Sequence, residues 1–394
     1  MTSIFNNLTT IQKSLAVSIL SVVFFVTSAG MSYSFFSKIA VGSSNTKEDL
    51  ITSLPSPSNS IEEDENIPKT EICPLNGAMK SKKAKDNWTK RLPLAVMIEN
   101  HTEARPQSGL FSADVIYEAV AEGGITRFMA IYLCNLSDIQ VGPVRSARTY
   151  YLDWLSEYNA LYAHVGGANT PGPADALSQI MKYGIKDMNQ FSIGFPTFWR
   201  DYQRLGRSVA TEHTMYSTTQ KLWEVAAKRD WTNNDKTKWE DKFIPWKFKD
   251  AGKNVVATLP SAVAVNVDFW QGYTDYSVAW EYDATCSCYK RKNAGAVQVD
   301  LNNKQPLSAK NVVVQFEKES HANDGYENNA HLLYKTTGEG KALIFQDGKV
   351  IEGKWIKQLR LSRTKYVDSK GVEINFNRGV IWIQTVPEGA KVDY

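Results

Sequence analysis

Histidine and cysteine are scarce in this chain, which has five histidines and four cysteines among its 394 residues. The patterns H-E-x-x-H, G-x-S-x-G and G-x-x-x-x-G-K-[ST] do not occur, so three familiar signatures of zinc, serine-nucleophile and phosphate sites are absent. The formal net charge is only +3, and the basic residues are spread along the chain. A nucleic-acid partner is therefore not expected.

The N-terminal residues differ from the rest, because residues 14–37 contain no charged side chain. One interpretation is a signal peptide with its apolar region at Leu15–Val26 and cleavage near residues 27–29. Hydrophobic residues continue past that point, and the whole run is long enough to cross a bilayer. The sequence therefore favours a transmembrane signal anchor over residues 1–40. Either alternative exports the remainder of the chain.

Residues 41–72 are rich in serine, proline and acidic residues and poor in large apolar ones. This composition predicts a disordered linker between the membrane and the folded region. No cysteine precedes Cys73, so a lipid-modified N-terminal cysteine is not expected. The expected location is a cell membrane, with a single-pass anchor and the folded domains on the extracytoplasmic side.

Two folded domains are predicted after the linker. Residues 73–230 show mixed strand and helix patterns, residues 231–253 form a connecting segment, and residues 254–394 show short strands separated by Gly, Asn and Asp turns. The predicted fold class is α+β. A mixed α/β N-terminal domain is followed by a mainly antiparallel β C-terminal domain.

Several elements are predicted in detail. The continuous apolar run at 92–100 predicts a buried strand, and residues 114–133 predict a β-hairpin that turns at Gly123-Gly124. Helices are expected at about 146–158, from about Pro173, and at 219–229. In the second domain, Asp347-Gly348 predicts a tight hairpin turn.

The cysteines and tryptophans are compatible with an exported protein. Four cysteines can form two disulfides in an oxidising compartment, and the sequence leaves the three pairings open. The Cys286-Ser287-Cys288 pair lacks further metal ligands nearby, so no metal site is expected. Trp270 and Trp280 are expected in the core, whereas three other tryptophans are candidates for exposure: Trp231, Trp239 and Trp246.

The stretch GPVRSAR sets Arg145 and Arg148 in the first turn of the predicted 146–158 helix, where the free N–H groups already carry partial positive charge. A two-residue hairpin turn would put Glu118 and Glu122 on the same face as Arg127. One interpretation is a solvated group of exposed ion pairs. The alternative is that the helix covers this face and that Glu118 or Glu122 is the anion for the arginines.

Arg105 lies in the loop after the first strand, where binding groups often collect. Together with Arg145 and Arg148 it could surround a pocket for a carboxylate or phosphate, since guanidinium groups bind such anions with two hydrogen bonds. The predicted ligand-binding residues are Arg105, Glu118, Glu122, Arg127, Arg145, Arg148 and His164.

His164 and the pair Glu212-His213 are the best candidates for acid–base chemistry. Two histidines and a carboxylate could also hold zinc. Structural, hydrogen-bonded histidines are the favoured interpretation, and neither a metal nor a cofactor is predicted.

Three segments together resemble the YerB-like family of bacterial envelope lipoproteins, a domain of unknown function. They are ENHTEARPQSGLFSADVIYEAVAEGGITRFMAIY, GPVRSAR and GEGKALIFQDGKVIEGKW. The resemblance runs from about Cys73 to Tyr394 and implies two domains in the cell envelope. It implies no catalytic residues. The missing lipid-acceptor cysteine departs from the lipoprotein pattern.

The leading functional hypothesis is a membrane-anchored envelope protein that binds an anionic cell-wall or peptide ligand. One alternative is an envelope hydrolase or transferase that uses Glu118, Glu122 or His164 as acid or base. Another is a scaffold whose β-rich half binds a protein partner. The sequence leaves open the ligand, whether the protein is an enzyme, the cleavage of the N-terminal segment, the disulfide pairing and the oligomeric state.

Overall fold

The structure of the chain is a computed structural model, and it describes residues 67–234, 238–250, 259 and 261–394. The predicted membrane anchor and most of the predicted linker lie outside the described residues. Residues 254–258, the start of the predicted β-rich domain, lie outside them as well. Within the described ranges, no helix has the length and apolar character needed to cross a membrane.

Residues 67–234 contain strands and helices in mixed order. The strands are β1 (Lys69–Ile72), β2 (Met79–Ser81), β3 (Leu94–Glu99), β4 (Val115–Glu122), β5 (Ile125–Tyr132), β6 (Gln140–Val141), β7 (Leu161–His164), β8 (Lys186–Asn189), β9 (Trp199–Arg200) and β10 (Met215–Thr218). The helices are α1 (Lys82–Trp88), α2 (Thr149–Ser156), α3 (Ala176–Tyr183), α4 (Gln190–Ile193) and α5 (Thr219–Lys228). The mixed order of strands and helices agrees with the predicted fold class. Strand β1 lies within the predicted disordered linker and pairs with β2, so that prediction is wrong for residues 69–72.

The described residues after 238 are dominated by strands. They are β11 (Phe248–Lys249), β12 (Ala264–Val267), β13 (Val278–Asp283), β14 (Cys288–Asn293), β15 (Ala296–Val297), β16 (Ser308–Ala309), β17 (Asn311–Glu317), β18 (Glu319–His321), β19 (Leu332–Tyr334), β20 (Gly338–Gln346), β21 (Lys349–Lys357), β22 (Lys365–Asp368), β23 (Phe376–Asn377), β24 (Ile381–Pro387) and β25 (Val392–Asp393). The predicted tight turn joins β20 to β21, with φ of 58° at Asp347 and 69° at Gly348.

A ten-stranded sheet contains strands from both predicted domains, in the order β22-β21-β20-β17-β24-β4-β5-β3-β7-β8. The two sets of strands meet where β24 pairs in parallel with β4, from Ile381 opposite Val115 to Gln384 opposite Glu118. Strands β3 and β17 have every residue buried, which explains the continuous apolar run of β3, whereas β17 also buries Gln315 and Glu317. The C-terminal strands are mainly antiparallel, as predicted, but β17 pairs in parallel with β24.

Two layers cover the faces of this sheet around β4. On one face, Tyr117 stacks on Trp154 of α2, with ring centroids 5.4 Å apart. On the other face, Trp382 of β24 meets Trp280 of β13 edge-on at 5.2 Å. Strand β13 belongs to a second sheet with the order β15-β14-β13-β12-β25. The sheet junction is therefore buried between α2 and the smaller sheet.

Helix α2 begins later than the sequence predicts. It starts at Thr149, and Arg148 is its N-cap residue with an extended backbone (φ −138°, ψ 152°). The preceding residues bond to other segments instead: Arg145 N–H donates to Met97 O (2.9 Å) and Ala147 N–H donates to Gly166 O (3.0 Å). Arg145 and Arg148 therefore precede the first helical turn, and the prediction that they lie in it is wrong.

The β4–β5 hairpin turns at the predicted glycines, but its register changes inside β4. Glu122 lies opposite Ile125 as predicted, whereas Val120 lies opposite Thr126 and Ala119 opposite Arg127, with a bulge between Val120 and Glu122. One extra residue moves the side chains beyond it to the other face of the sheet. The prediction that Glu118 and Arg127 share a face is therefore wrong, and only Glu122 lies on the Arg127 face.

The four cysteines form two disulfides, Cys73–Cys134 and Cys286–Cys288. Tryptophans in the connecting segment are more buried than the sequence suggested. Trp239 and Trp246 are each 4% exposed. Their ring N–H groups donate to Tyr158 O (2.7 Å) and Thr364 O (2.8 Å). The connecting segment thus packs into the core through these two rings.

A fully buried ion pair lies at the junction between β4 and the C-terminal strands. Arg291 of β14 and Glu118 of β4 are both 0% exposed, and a guanidinium nitrogen lies 2.8 Å from the carboxylate. The carboxylate also accepts hydrogen bonds from Thr126 Oγ1 (3.1 Å), Trp382 Nε1 (3.0 Å) and Gln384 Nε2 (3.2 Å). Such bonds offset the cost of removing the charge from water.

Aromatic rings surround the cation of this pair. The guanidinium carbon of Arg291 lies 4.5 Å from the ring centre of Trp382, 5.2 Å from Trp280 and 5.6 Å from Phe128. At these distances the ring faces attract a cation. Arg291 Nε also donates to Gln298 Oε1 at 2.6 Å. The pair and its neighbours therefore link five strands of two sheets: β4, β5 and β24 of the large sheet and β13 and β14 of the smaller one.

Replacing Arg291 with methionine is expected to lower the free energy of unfolding by about 3–5 kcal/mol, because Glu118 would keep a buried charge without its cation. Denaturant unfolding followed by tryptophan fluorescence measures this change. The matched control is Lys354→Met, which breaks an ion pair with Glu339 whose side chains are 57% and 58% exposed. That control should cost less than about 1 kcal/mol. Equal effects of the two substitutions would contradict a structural role for the buried pair.

Candidate functional site

Backbone hydrogen bonds bring three chain segments together at the C-terminal end of β3. Arg145 N–H donates to Met97 O at 2.9 Å, so the residues before α2 lie beside β3. Val144 N–H donates to Met215 O at 2.7 Å, which adds the residues before β10. Polar side chains from all three segments therefore meet at one place. We call them the Glu99 cluster: Glu99, His101, Glu103, Arg145 and His213.

Glu99 is the centre of this cluster, and each of its carboxylate oxygens has a different partner. Oε1 accepts a hydrogen bond from Arg145 Nε at 3.0 Å, and Oε2 lies 2.8 Å from His213 Nδ1. The Glu99 side chain is only 4% exposed, against 26% for Arg145. A buried carboxylate thus holds one partly exposed arginine and one buried histidine.

The electrostatics of the cluster favour charged forms on both sides of the Glu99–His213 contact. Burial opposes ionisation of Glu99, but the bond from His213 and the charges of Arg145 and Arg127 lower its pKa overall. The hydrogen bond to Glu99 raises the pKa of His213, against the effect of its burial. An ionised Glu99 therefore orients both Arg145 and the ring of His213.

Arg145 keeps part of its guanidinium available. Its Nε is bonded to Glu99, and its terminal nitrogens have no hydrogen bond within the described part of the chain. Since its side chain is 26% exposed, those nitrogens can reach solvent. An arginine fixed through Nε presents two terminal N–H groups in a plane, which suits a carboxylate or phosphate.

Unlike Arg145, the arginines Arg148 and Arg127 both form ion pairs with Glu122, which lies between them. Glu122 forms one ion pair with Arg127 (3.2 Å) and another with Arg148. Arg127 also donates to Ser146 O at 2.8 Å, and Arg148 donates to Ala147 O at 2.7 Å. The two arginine side chains are 3% and 7% exposed. This group therefore fastens the residues before α2 to the hairpin.

The charge on Glu122 is strongly favoured in this arrangement. Burial alone would raise its pKa, but Arg148 and Arg127 outweigh that effect and lower the pKa of Glu122 to about 2. The contact between Glu122 and Arg148 is one of the two that the hairpin pattern predicted. The other candidate, Glu118, lies on the opposite face with Arg291.

The remaining predicted ligand-binding residues lie elsewhere. Arg105 donates to Asn100 Oδ1 (3.1 Å) and to Asp275 O (2.9 Å), so it links the loop after β3 to the connection between β12 and β13. His164 is 0% exposed, with its ring nitrogens 2.7 Å from Gly166 O and 2.8 Å from Asp187 Oδ1. The structure thus distributes the predicted set over several places, and Arg145 is its member in the Glu99 cluster.

His213 has two further neighbours that could take part in binding a cation. The ring of His101 stacks on the His213 ring, with centroids 4.7 Å apart and planes 10° apart. Glu103 Oε2 lies 3.7 Å from His213 Nε2. The side chains of His101, Glu103 and His213 each place a potential metal-ligand atom within 4.8 Å of the others.

Sequence reasoning identified some members of this cluster and missed others. His213 was a candidate, but its partner is Glu99, 114 positions earlier, and not the adjacent Glu212. His101 and Glu103 were missed. The available signal was the H-x-E spacing in the loop that directly follows a buried strand, where functional residues often lie.

Comparison with known proteins assigns the chain to a family. The family described as "Protein of unknown function (DUF3048) N-terminal domain" matches residues 78–232, and its C-terminal domain matches residues 265–383. The chain therefore belongs to the DUF3048 family and carries both of its domains in order.

A curated relative matches this chain over most of the length of both proteins. The chain is 30% identical to "Putative lipoprotein YerB" of Bacillus subtilis (strain 168) over 317 residues, which cover 80% of this chain and 86% of the relative. The crystal structure of YerB protein from Bacillus subtilis superimposes with a TM-score of 0.66 at 28% identity, covering 82% of this chain and 100% of that chain. The resemblance inferred from the sequence motifs is confirmed.

The low pKa of Glu122 predicts how stability depends on pH. A carboxyl whose pKa falls from 4.5 to about 2 on folding stabilises the native state above pH 4.5 and loses that contribution as the pH falls through about 2. Glu122→Gln should therefore cost about 3 kcal/mol at neutral pH, and the difference from the parent should shrink in acid. Urea unfolding across this pH range measures it. The control is Glu339→Gln at an exposed position, where the free energy of unfolding should differ little from that of the parent at every pH. If the destabilisation by Glu122→Gln were the same at every pH, the low pKa of Glu122 would be refuted.

Proposed function

We propose that this chain is an extracytoplasmic protein of the bacterial cell envelope that binds an anionic group, a carboxylate or a phosphate, at Arg145. The main support is that only one nitrogen of this guanidinium has a hydrogen bond within the described residues. Glu99 fixes it through Nε at 3.0 Å, and its terminal nitrogens are without a hydrogen bond to the described residues. An arginine held in this way loses little side-chain entropy when it binds an anion.

The other arginines of the predicted site support this choice by contrast. Arg127 and Arg148 share Glu122 and are almost fully buried. Arg291 and Glu118 neutralise each other in the interior. At these positions a ligand anion would have to displace a carboxylate that is already bound. At Arg145 it could bind the terminal nitrogens while Glu99 stays bonded to Nε.

The proposed location is supported by three observations. The uncharged run at residues 14–37 is long enough for an anchor, the four cysteines are paired in two disulfides, and the Bacillus subtilis relative carries the name "Putative lipoprotein YerB". Disulfides of this kind persist in oxidising compartments outside the cytoplasm. The ligand would therefore be an envelope component, such as a cell-wall polymer or a carboxylate-bearing peptide.

Binding of the detergent-purified full chain to isolated bacterial cell wall tests the proposal by co-sedimentation. Arg145→Gln is expected to weaken retention by about tenfold or more, because it removes charge-assisted hydrogen bonds worth roughly 1.5–3 kcal/mol. The matched control is Arg378→Gln. Arg378 is also bonded through Nε to a carboxylate, Asp250 at 3.1 Å, and is 24% exposed.

Two arms distinguish the ligand chemistry. Wall stripped of its phosphate polymers should lose the Arg145-dependent retention if the ligand is a phosphate, and should keep it if the ligand is a peptidoglycan carboxylate. Equal retention of the parent and Arg145→Gln on both preparations would contradict the proposal.

A further inference from the structure

We propose that His101, Glu103 and His213 form a binding site for a divalent transition-metal ion, with Zn²⁺ as the ion that best suits the ligands. Their potential ligand atoms lie within 4.8 Å of one another. Two imidazoles and one carboxylate are a common protein ligand set for zinc, and a fourth position is then left for water or a bound group. The sequence carries no established zinc motif here, because the ligands come from two distant segments.

His213 is already oriented as a metal ligand would be. Its Nδ1 is bonded to Glu99, which leaves Nε2 as the free ring nitrogen on the opposite edge. Histidines that bind metals commonly donate their other N–H to a carboxylate in this way, which fixes the ring and the tautomer. Glu99 would thus be a positioning residue for the ion, not a ligand.

The spacing between His213 and Glu103 is close to what an ion requires. Two ligand atoms at about 2.0–2.1 Å from a tetrahedral zinc ion are roughly 3.3 Å apart. The observed separation of His213 Nε2 and Glu103 Oε2 is 3.7 Å. The Glu103 side chain is 49% exposed, so a small rotation in solvent closes the difference.

His101 must turn to complete the site. Its ring is nearly parallel to that of His213, and two parallel rings cannot both direct a nitrogen lone pair at one ion between them. Its Nδ1 now accepts a 3.2 Å hydrogen bond from Glu103 N–H, and coordination through either ring nitrogen would end that bond. His101 is only half-buried, so the rotation leaves the core undisturbed.

The Glu103 carboxylate can accept a further cationic partner, although Arg207 donates to the Glu103 backbone carbonyl at 2.7 Å. Within the described residues, the Glu103 carboxylate has His213 as its ion-pair partner, and that contact is a long one. Arg145 is bonded to the other oxygen of Glu99, so a metal ion at His213 and an anion at Arg145 would share Glu99 without sharing a ligand. The two sites can therefore be tested separately.

The test uses the full chain in detergent, freed of metals with a chelator and titrated with Zn²⁺ by calorimetry. Saturable binding of one ion per chain is expected. Co²⁺ serves as a spectroscopic probe, since a tetrahedral site with nitrogen and oxygen ligands gives visible absorption bands of high intensity. Binding to the native state should also raise the melting temperature with increasing Zn²⁺.

Substitutions at the exposed ligands make the test independent of folding. His101→Gln and Glu103→Gln should each weaken Zn²⁺ binding at least tenfold and abolish the rise in melting temperature. Glu99→Gln should weaken it about 10–100-fold, as expected for a carboxylate that orients a ligating histidine. His321→Gln, which changes an exposed histidine of β18, is the matched control and should bind as the parent does.

Failure of the parent to bind Zn²⁺, or binding that His101→Gln and Glu103→Gln leave unchanged, would overturn the metal site. Arg145→Gln separates this proposal from the anion site. It should retain Zn²⁺ binding while losing cell-wall retention, and loss of both together with native circular dichroism would show that the two sites are one.

Discussion

The buried ion pair between Glu118 and Arg291 is the constraint on which the arrangement of this protein depends. Neither side chain reaches solvent, so the pair is tolerable only where other groups satisfy it. Those groups come from β5 and β24 as well as from the smaller sheet. Strand β4 pairs with β24 on one side and β5 on the other, which places these groups around the ion pair, and this junction joins the N-terminal and C-terminal family domains in one sheet.

A single bulged residue in β4 then separates the charges of the hairpin. Because one extra residue lies between Val120 and Glu122, Glu118 faces the smaller sheet and Glu122 faces the segment before α2. Glu122 can hold Arg127 and Arg148 there, which fixes the chain as it enters the helix. Arg145 lies three residues before Arg148 in the chain and pairs with Glu99 instead of Glu122. The position of the bulge thus decides which arginine keeps free nitrogens.

Glu99 connects the two proposals made for the same end of β3. Its two oxygens orient Arg145 and His213, so one buried carboxylate would support anion binding on one side and metal binding on the other. Glu99 has two partners because it is buried: an ionised carboxylate that is only 4% exposed needs a hydrogen-bond partner for each oxygen. The family is described as one of unknown function, and the Glu99 cluster offers anion binding and metal binding as two testable properties of its N-terminal domain.

The sequence by itself determined the local elements. Strand β3, the hairpin with its glycine turn, the Asp347-Gly348 turn and the switch to short strands all follow from apolar periodicity and turn residues within a few positions. The tertiary structure decided what periodicity does not encode. It set the bulge in β4, the later start of α2, the burial of Trp239 and Trp246, and the pairing of Glu99 with His213 across 114 positions. The physical reason is that a buried charge must find its partners in space, and those partners lie on strands and loops far apart in the chain.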